Sequence, residues 1–404
     1  MVLAYNGFVQ PLPFAEARET VLRIVRDAGP APEIETVPLQ EAAGRVLARH
    51  IAADRQYPPL PRSIRDGYAV RAADFPGVVR VVGEVAAGQA FPRALLAGEA
   101  VEIMTGAPVP EGADAVMMIE HVLVVSDTVT TDKLVKTGDF IVPAGSECDA
   151  GSTAVTAGTR LDFGHIAALA SVGAAEVPVY RRPVVAAIAT GDELLPVDAS
   201  PLPHQIRNSN SHTLAAQIAR AGAVPLIMPV APDEYERTRE LIEQALQTAD
   251  LLLLSGGVSA GKYDLVEKVL ADLGAEFFFD RVNIQPGQPL VFGRVRDRFF
   301  FGLPGNPAST MVTFELFARA AIDLLSGCET AALPIYRAVL TTDFRHKTGL
   351  TRFLPARVDH GFLTPLSWQG SGDVFALARS NAFLVAREDR EFWATGELME
   401  VLPR

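Results

Sequence analysis

The chain has 404 residues, too many for one ordinary hydrophobic core, and a length prior gives roughly three domains. Its 49% hydrophobic and 21% charged residues make an ordinary globular composition, which excludes wholesale disorder. A net charge of -12 without a dense Lys/Arg run argues against nonspecific nucleic-acid binding, because a polyanion would be repelled.

The opening stretch MVLAYNGFVQPLPFAEARE has no basic region followed by an apolar one, and no apolar run approaches the roughly 20 residues that span a bilayer. A cytoplasmic location without a membrane partner is therefore expected. Cys148 and Cys328 fall in no paired or zinc-binding spacing, so a disulfide framework is not indicated.

Apolar positions at helical spacing predict a helix over 14–28, ended by Gly29-Pro30. A second short helix is expected around 39–47. From Tyr57 to about Gly151 the chain is rich in Gly, Pro, Val and Thr, with alternating runs such as VVRVVGEV and VLVVSDTVTT. This texture predicts a β-rich domain over 51–150. FGHIAALASVG returns to a helix. Residues 151–181 are expected to pack back on 1–50 as one small, helical, discontinuous first domain.

From Arg182 strands and helices alternate: PVVAAIAT, NSHTLAAQIARAG, VPLIMPV, EYERTRELIEQALQTA, DLLLLS and DLVEKVLADLG. FFFGLPGNPASTMVTFELFARAAIDLL adds one more strand, a loop and a long helix. Near-continuous apolar strands between amphipathic helices indicate a parallel sheet covered on both faces. The fold class is thus multidomain α/β, with a central doubly wound domain over 182–331. A strand-rich tail, 332–404, is expected as a small C-terminal β domain.

In open α/β sheets ligands bind beyond the carboxyl ends of the strands. Three loops fit that place: Thr190 to Glu193, Ser255 to Asp264, and Gly302 to Pro307. Asn306 suits an N-cap and Pro307 the first helical position, so free N–H groups there should attract an oxyanion. The bland alternative is a set of tight strand-to-helix turns that need Gly and Pro for backbone reasons alone. Gly256 to Lys262 matches the start of a phosphate-binding G-x-x-x-x-G-K loop, but Tyr263 stands where Ser or Thr should follow. Gly257 to Gly261 also reads as a nucleophile elbow around Ser259. A hydrolase would then need His346 or His360, both in the tail.

Asp66, Glu147, Asp192, Glu193, Asp233 and Asp264 lie in Gly/Pro-rich loops or at element ends. Carboxylates beside a phosphate repel it unless a hard divalent cation bridges them, so magnesium is expected. Solvated surface acids are the competing reading of each.

PPLPRSIRDGYAV and GEAVEIMTGAPVPEGADAVMMIEHV resemble the second domain of molybdopterin molybdenumtransferases, a family that includes MoeA-type enzymes and the E domain of gephyrin. RPVVAAIATGDEL, IRNSNSHTLAAQI, DLLLLSGGVSAGKYDLVEKVL, VNIQPGQPLVFG and FFGLPGNPAST are similar to its molybdopterin-binding third domain, in order. WQGSGDVFALARSNAFLV resembles its C-terminal domain.

The resemblance implies that molybdate is inserted into adenylyl-molybdopterin with magnesium-assisted release of AMP. It places the pterin and its phosphates at Thr190, Gly191, Asn210, Ser255, Gly256, Gly257, Ser259, Pro304, Gly305 and Pro307. It assigns catalysis to Asp66, Thr105, Glu193 and Asp264, and metal binding to Asp66, Glu193, Asp233 and Asp264. Glu147 falls where relatives carry an acidic segment. An elongated homodimer is implied, with Asp66 and Thr105 completing the site of the other subunit. Transient contact with other cofactor-biosynthesis enzymes is implied as well.

Where relatives often read K-P-G-K-P, this chain has Gln285-Pro286-Gly287-Gln288-Pro289, without either lysine. Arg65 and Lys262 are additional cations; one or the other is expected to restore the charge that an oxyanion needs, and plain exposed charges are the competing reading. A nucleotide amidohydrolase or pyrophosphatase like CinA, and a noncatalytic scaffold like gephyrin, are the alternatives weighed.

Overall fold

The computed structural model describes residues 10–29, 32–257 and 265–404. At its centre lies a six-stranded sheet. Val224–Ile227, Val184–Ala189, Leu251–Ser255 and Arg298–Leu303 run parallel; Val291–Val295 adds on antiparallel to Arg298–Leu303, and Glu276–Phe279 pairs antiparallel with it in turn. Every residue of Leu251–Ser255 is buried, which is why its sequence reads as an unbroken apolar run. Successive side chains point to opposite faces. Leu251 and Leu253 pack with Leu214 and Ile218 of the helix Ser209–Arg220, whereas Leu252 and Leu254 meet Ile242 and Val266 of the helices Tyr235–Thr248 and Leu265–Asp272. These two further strands, joined through antiparallel pairings, are an addition that sequence pattern did not reveal.

The expected long closing helix is interrupted. Pro307–Thr313 and Arg319–Leu325 are α-helical, but Phe314–Ala318 between them is a π-helical turn. Just before it, the Thr310 and Thr313 hydroxyls donate to the carbonyls of Asn306 and Ser309 at 3.1 and 2.8 Å. Such back-bonding competes with the regular helix ladder and bends it.

The helix Phe14–Ala28 forms as its apolar spacing predicts, yet its buried residues Phe14, Ala17, Val21 and Val25 join the core of the α/β domain and tail. Phe14 meets Phe317 and Phe353 edge-on, with ring centroids 5.8 and 5.2 Å apart. A separate small core gathers Val37, Leu47, Val155, Leu161, Leu169 and Val177. There Ile34–Pro38 pairs antiparallel with Glu176–Tyr180. The segments 1–50 and 151–181 thus contribute to two cores rather than one. The helix expected around 39–47 is only a 3-10 turn at Leu39–Glu41, and Gly44 takes φ 76°, a left-handed conformation that no continuing helix contains.

Within 51–150 lies a second six-stranded sheet, running from Ala115–Met118 at one edge to Leu123–Val125 at the other. In the tail, Thr351–Asp359 pairs with both Phe362–Pro365 and Ala382–Ala386. Tyr336–Leu340 and Leu398–Pro403 complete the circuit, so five strands close into a small barrel. Ile284–Gln285 of the central domain pairs in parallel with Thr351 and Arg352, joining barrel to sheet. Among the described residues no helix is long and apolar enough to cross a membrane.

Candidate active-site cleft

Three parallel strands end side by side, and backbone bonds lock their exits together. The Thr190 N–H donates to the Ser255 carbonyl at 3.0 Å, and the Gly256 N–H donates to the Leu303 carbonyl at 3.1 Å. Over these exits opens a cleft of about 500 Å³. Thr190, Gly191, Ser255, Gly256 and Gly257 line one part of it; Asn210, Pro304, Gly305 and Pro307 line another. Glu193 and Asp233 stand on its wall.

Gly256 is required by geometry. Its φ is 90°, and a Cβ there would lie 2.9 Å from the Thr190 carbonyl oxygen. Only glycine lets the second loop fold this close to the first.

Asn210 fastens the loops from the side. Its Nδ2 donates to Ser255 Oγ at 2.7 Å and to the Gly305 carbonyl at 2.8 Å. With the amide orientation fixed by those two acceptors, its Oδ1 is buried without a hydrogen-bond partner. Asn208 places it: its Oδ1 caps the helix by accepting from the Ser211 N–H at 3.1 Å.

The start of the helix at Pro307 departs from expectation. Asn306 occupies the N-cap position, but its side chain makes no capping bond; it lines the cleft instead. The Ala308 N–H donates to the carbonyl of Ser371 in the tail at 2.9 Å, so this amide is not free for an anion.

Carboxylates crowd the first loop. Asp192 Oδ1 accepts from the Asp233 N–H at 3.1 Å. The Asp233 carboxyl is pushed above its ordinary value, by partial burial first and then by the charges of Asp192 and Glu193. Among the described residues no three His, Cys, Asp or Glu side chains stand close enough to form a metal site by themselves. Asp264, Ser259 and Lys262 lie outside the described residues.

Asp66 and Thr105 sit together on the β-rich domain but line no part of this cleft within the chain. Thr105 holds the Asp66 carboxyl below the usual range, through its backbone N–H first and its hydroxyl second. Glu147 is ion-paired with Arg62 on the same domain. Arg65 is exposed, and Gln285 and Gln288 lie off the cleft wall, although Pro289 reaches it.

One functional candidate escaped sequence reasoning. Arg207 is the single cation among the described residues lining the cleft. Its Nε donates to the Ala199 carbonyl at 2.9 Å, which leaves the outer edge of the guanidinium toward solvent. Its position immediately before the capping Asn208 was the available signal.

Residues 12–173 match the family region described as "MoeA N-terminal region (domain I and II)", and residues 337–403 match the "MoeA C-terminal region (domain IV)". Between them, residues 186–324 match the "Probable molybdopterin binding domain". The chain is 37% identical over 407 residues to a molybdopterin molybdenumtransferase of Bacillus subtilis, an alignment covering 97% of this chain and 94% of that protein. A molybdopterin molybdenumtransferase of Staphylococcus epidermidis is 32% identical, with 95% and 94% covered. Among solved structures, the molybdopterin biosynthesis MoeA protein of Pyrococcus horikoshii OT3 superposes with a TM-score of 0.81 at 29% identity, covering 98% of this chain and 100% of that chain.

Proposed function

Because this chain belongs to the molybdopterin molybdenumtransferase family, we propose that its cleft holds adenylyl-molybdopterin while molybdate enters the dithiolene and AMP departs. The chain is a transferase of molybdenum cofactor biosynthesis. The observation that carries the site assignment is Asn210, a side chain at the cleft whose amide ties the exits of two strand-end loops together at Ser255 and Gly305.

The roles then divide by chemistry. Gly256 and Gly257 let the backbone approach the ligand, and Pro304, Gly305 and Pro307 wall it in. Thr190 and Ser255 offer hydroxyls at the strand exits. Arg207 pairs with a phosphate oxygen. Asp233, raised by partial burial first and then by the charges of Asp192 and Glu193, would be favoured in its ionised form by a hard cation, and one or two carboxylates plus substrate phosphates are the usual magnesium site. Asp233 and Glu193 would hold that ion, joined by Asp264; when bound, it neutralises charge developing on the pyrophosphate.

Asp66 and Thr105 are assigned to the site of a second subunit in a homodimer, where Thr105 keeps Asp66 ionised and able to accept a bond or a cation. Action in the cytoplasm, in transient contact with other enzymes of the same synthesis, fits this reading. The amidohydrolase alternative is not favoured, since all three family regions follow in order along the chain.

The test follows AMP release from adenylyl-molybdopterin in the presence of magnesium, with molybdate or tungstate varied. Molybdate-dependent release that is lost on Glu193→Gln and on Asp66→Asn is the expected result. Tight pterin binding without AMP release under either oxyanion would instead indicate a carrier or scaffold.

A further inference from the structure

The β-rich domain that carries Asp66 stands apart from the rest of the chain. Its two apolar cores draw only on residues within 68–141. Among the described residues, no hydrogen bond or ion pair joins 60–144 to any residue before 58 or after 149. Two crossing segments, 53–59 and 145–152, form its neck. They are paired with each other: the Tyr57 N–H donates to the Cys148 carbonyl at 2.7 Å, and the Glu147 and Cys148 N–H groups donate to the Tyr57 carbonyl at 2.9 and 3.1 Å. A neck with so few contacts around it resists bending weakly, because a few residues can absorb the change of angle.

The Tyr57 hydroxyl braces this neck. It donates to the Ser171 carbonyl at 2.6 Å, the single side-chain hydrogen bond among the described residues that runs from the neck to the body of the chain. Ser171 ends the helix Phe163–Ser171, which buries Leu169 in the small core shared with Leu47 and Val177. Its carbonyl is one of those that a helix end leaves open, and it sits on a firmly packed element. The same hydroxyl lies 2.6 Å from Asp54 Oδ1, within the neck itself. A phenol has one proton to donate, so Asp54 and Ser171 compete for it. The bond to Asp54 pushes the Tyr57 hydroxyl above its ordinary value, which keeps that proton in place.

We infer that Tyr57 is a positioning residue: its hydroxyl, braced on Ser171 against competition from Asp54, sets the angle at which the β-rich domain presents Asp66 and Thr105. This rests on the assignment of those two residues to the site of the second subunit. Tyr57 touches no substrate; it acts through Asp66, some nine residues along the chain from the brace.

Tyr57→Phe keeps the ring and every backbone bond of the neck and loses only the hydroxyl. Asp54→Asn works in the opposite direction, since its amide can donate to the phenol oxygen and leave the proton to Ser171. Nitroxide labels at Lys133→Cys and Gln244→Cys, exposed positions on the β-rich and central domains, report the angle by dipolar spectroscopy. Cys148→Ser and Cys328→Ser remove the native thiols, and an excess of unlabelled chain keeps the measured distance within one chain. The distance distribution is expected to broaden in Tyr57→Phe and to narrow in Asp54→Asn. AMP release by Tyr57→Phe should slow about fivefold in kcat, the worth of one net hydrogen bond, with pterin affinity and melting temperature unchanged. A distribution or a kcat that does not move in Tyr57→Phe overturns the proposal. Asp66→Asn is the control: if it keeps AMP release, the assignment of Asp66 fails and the proposal with it, whereas lost release beside unmoved distances overturns the proposal alone.

Discussion

The Asp66 carboxylate accepts two hydrogen bonds from Thr105, from the backbone N–H at 2.6 Å and from Oγ at 2.9 Å. Both favour the ionised form, so the carboxyl titrates below its ordinary value. The stabilisation is present above the unfolded-state pKa and is lost as pH falls through the lower folded one. Thr105→Val removes only the hydroxyl bond. The Asp66 pKa should rise part of the way toward that of a free carboxylate, and the acid limb of AMP release should move to higher pH with it. Carboxyl NMR titration of both proteins checks the first, and an unmoved Asp66 resonance would refute the assignment.

Gly256→Ala sets a Cβ 2.9 Å from the Thr190 carbonyl oxygen, at a φ that alanine rarely adopts. The strain is on the order of 1–3 kcal/mol. Because the loop lies at the cleft and not in the core, the expected outcome is a roughly tenfold or greater loss of pterin affinity with a small change in melting temperature. Calorimetric titration and circular dichroism separate the two.

Arg207→Gln removes the single cation among the described lining residues. The KM for adenylyl-molybdopterin should rise roughly tenfold at low salt and by less at high salt, because exposed charge pairs are screened. Arg207→Lys should rescue in part, since lysine supplies charge without the planar fork. In contrast, Arg65→Gln should weaken saturation by molybdate more than pterin binding. Equal loss of both would remove Arg65 as the replacement for the missing lysines at Gln285 and Gln288.

Phe14→Ala empties a space bounded by Phe317 and Phe353. A buried Phe→Ala change costs about 3–5 kcal/mol. Trp393 lies in the barrel core and Trp368 packs on the central core, so tryptophan fluorescence reports the tail. Denaturant unfolding followed by fluorescence should shift to lower midpoint, even though residue 14 is remote in sequence. An unchanged fluorescence midpoint would mean that the helix and barrel are energetically separate.

The central sheet was legible because its strands are buried on both faces, so DLLLLS and PVVAAIAT leave little choice of role. The site was legible for a related reason: glycines at 191, 256 and 305 mark the strand exits. What escaped is what depends on contacts between distant segments. Ala308 gives its amide to Ser371, and the helix at 14–28 finds its partners near 317 and 353. Local pattern describes which face of that helix is apolar but says nothing of which core receives it. The failed helix at 39–47 is a smaller case, in which Gly44 turned the chain where apolar spacing alone suggested continuation.

The seating of Phe14 also sets an order of events during synthesis. Its helix leaves the ribosome well before Phe317 and Phe353, which are made some three hundred residues later, at ordinary translation speeds roughly 15–60 s. Throughout that interval the apolar stripe of Phe14, Ala17, Val21 and Val25 has no cover of its own, while the β-rich domain and the sheet of Ile34–Pro38 with Glu176–Tyr180 can already form. A helix made early is thus among the last elements to be seated. A nascent chain arrested before residue 314 should carry a sticky amphipathic handle, which is the kind of segment that chaperones hold.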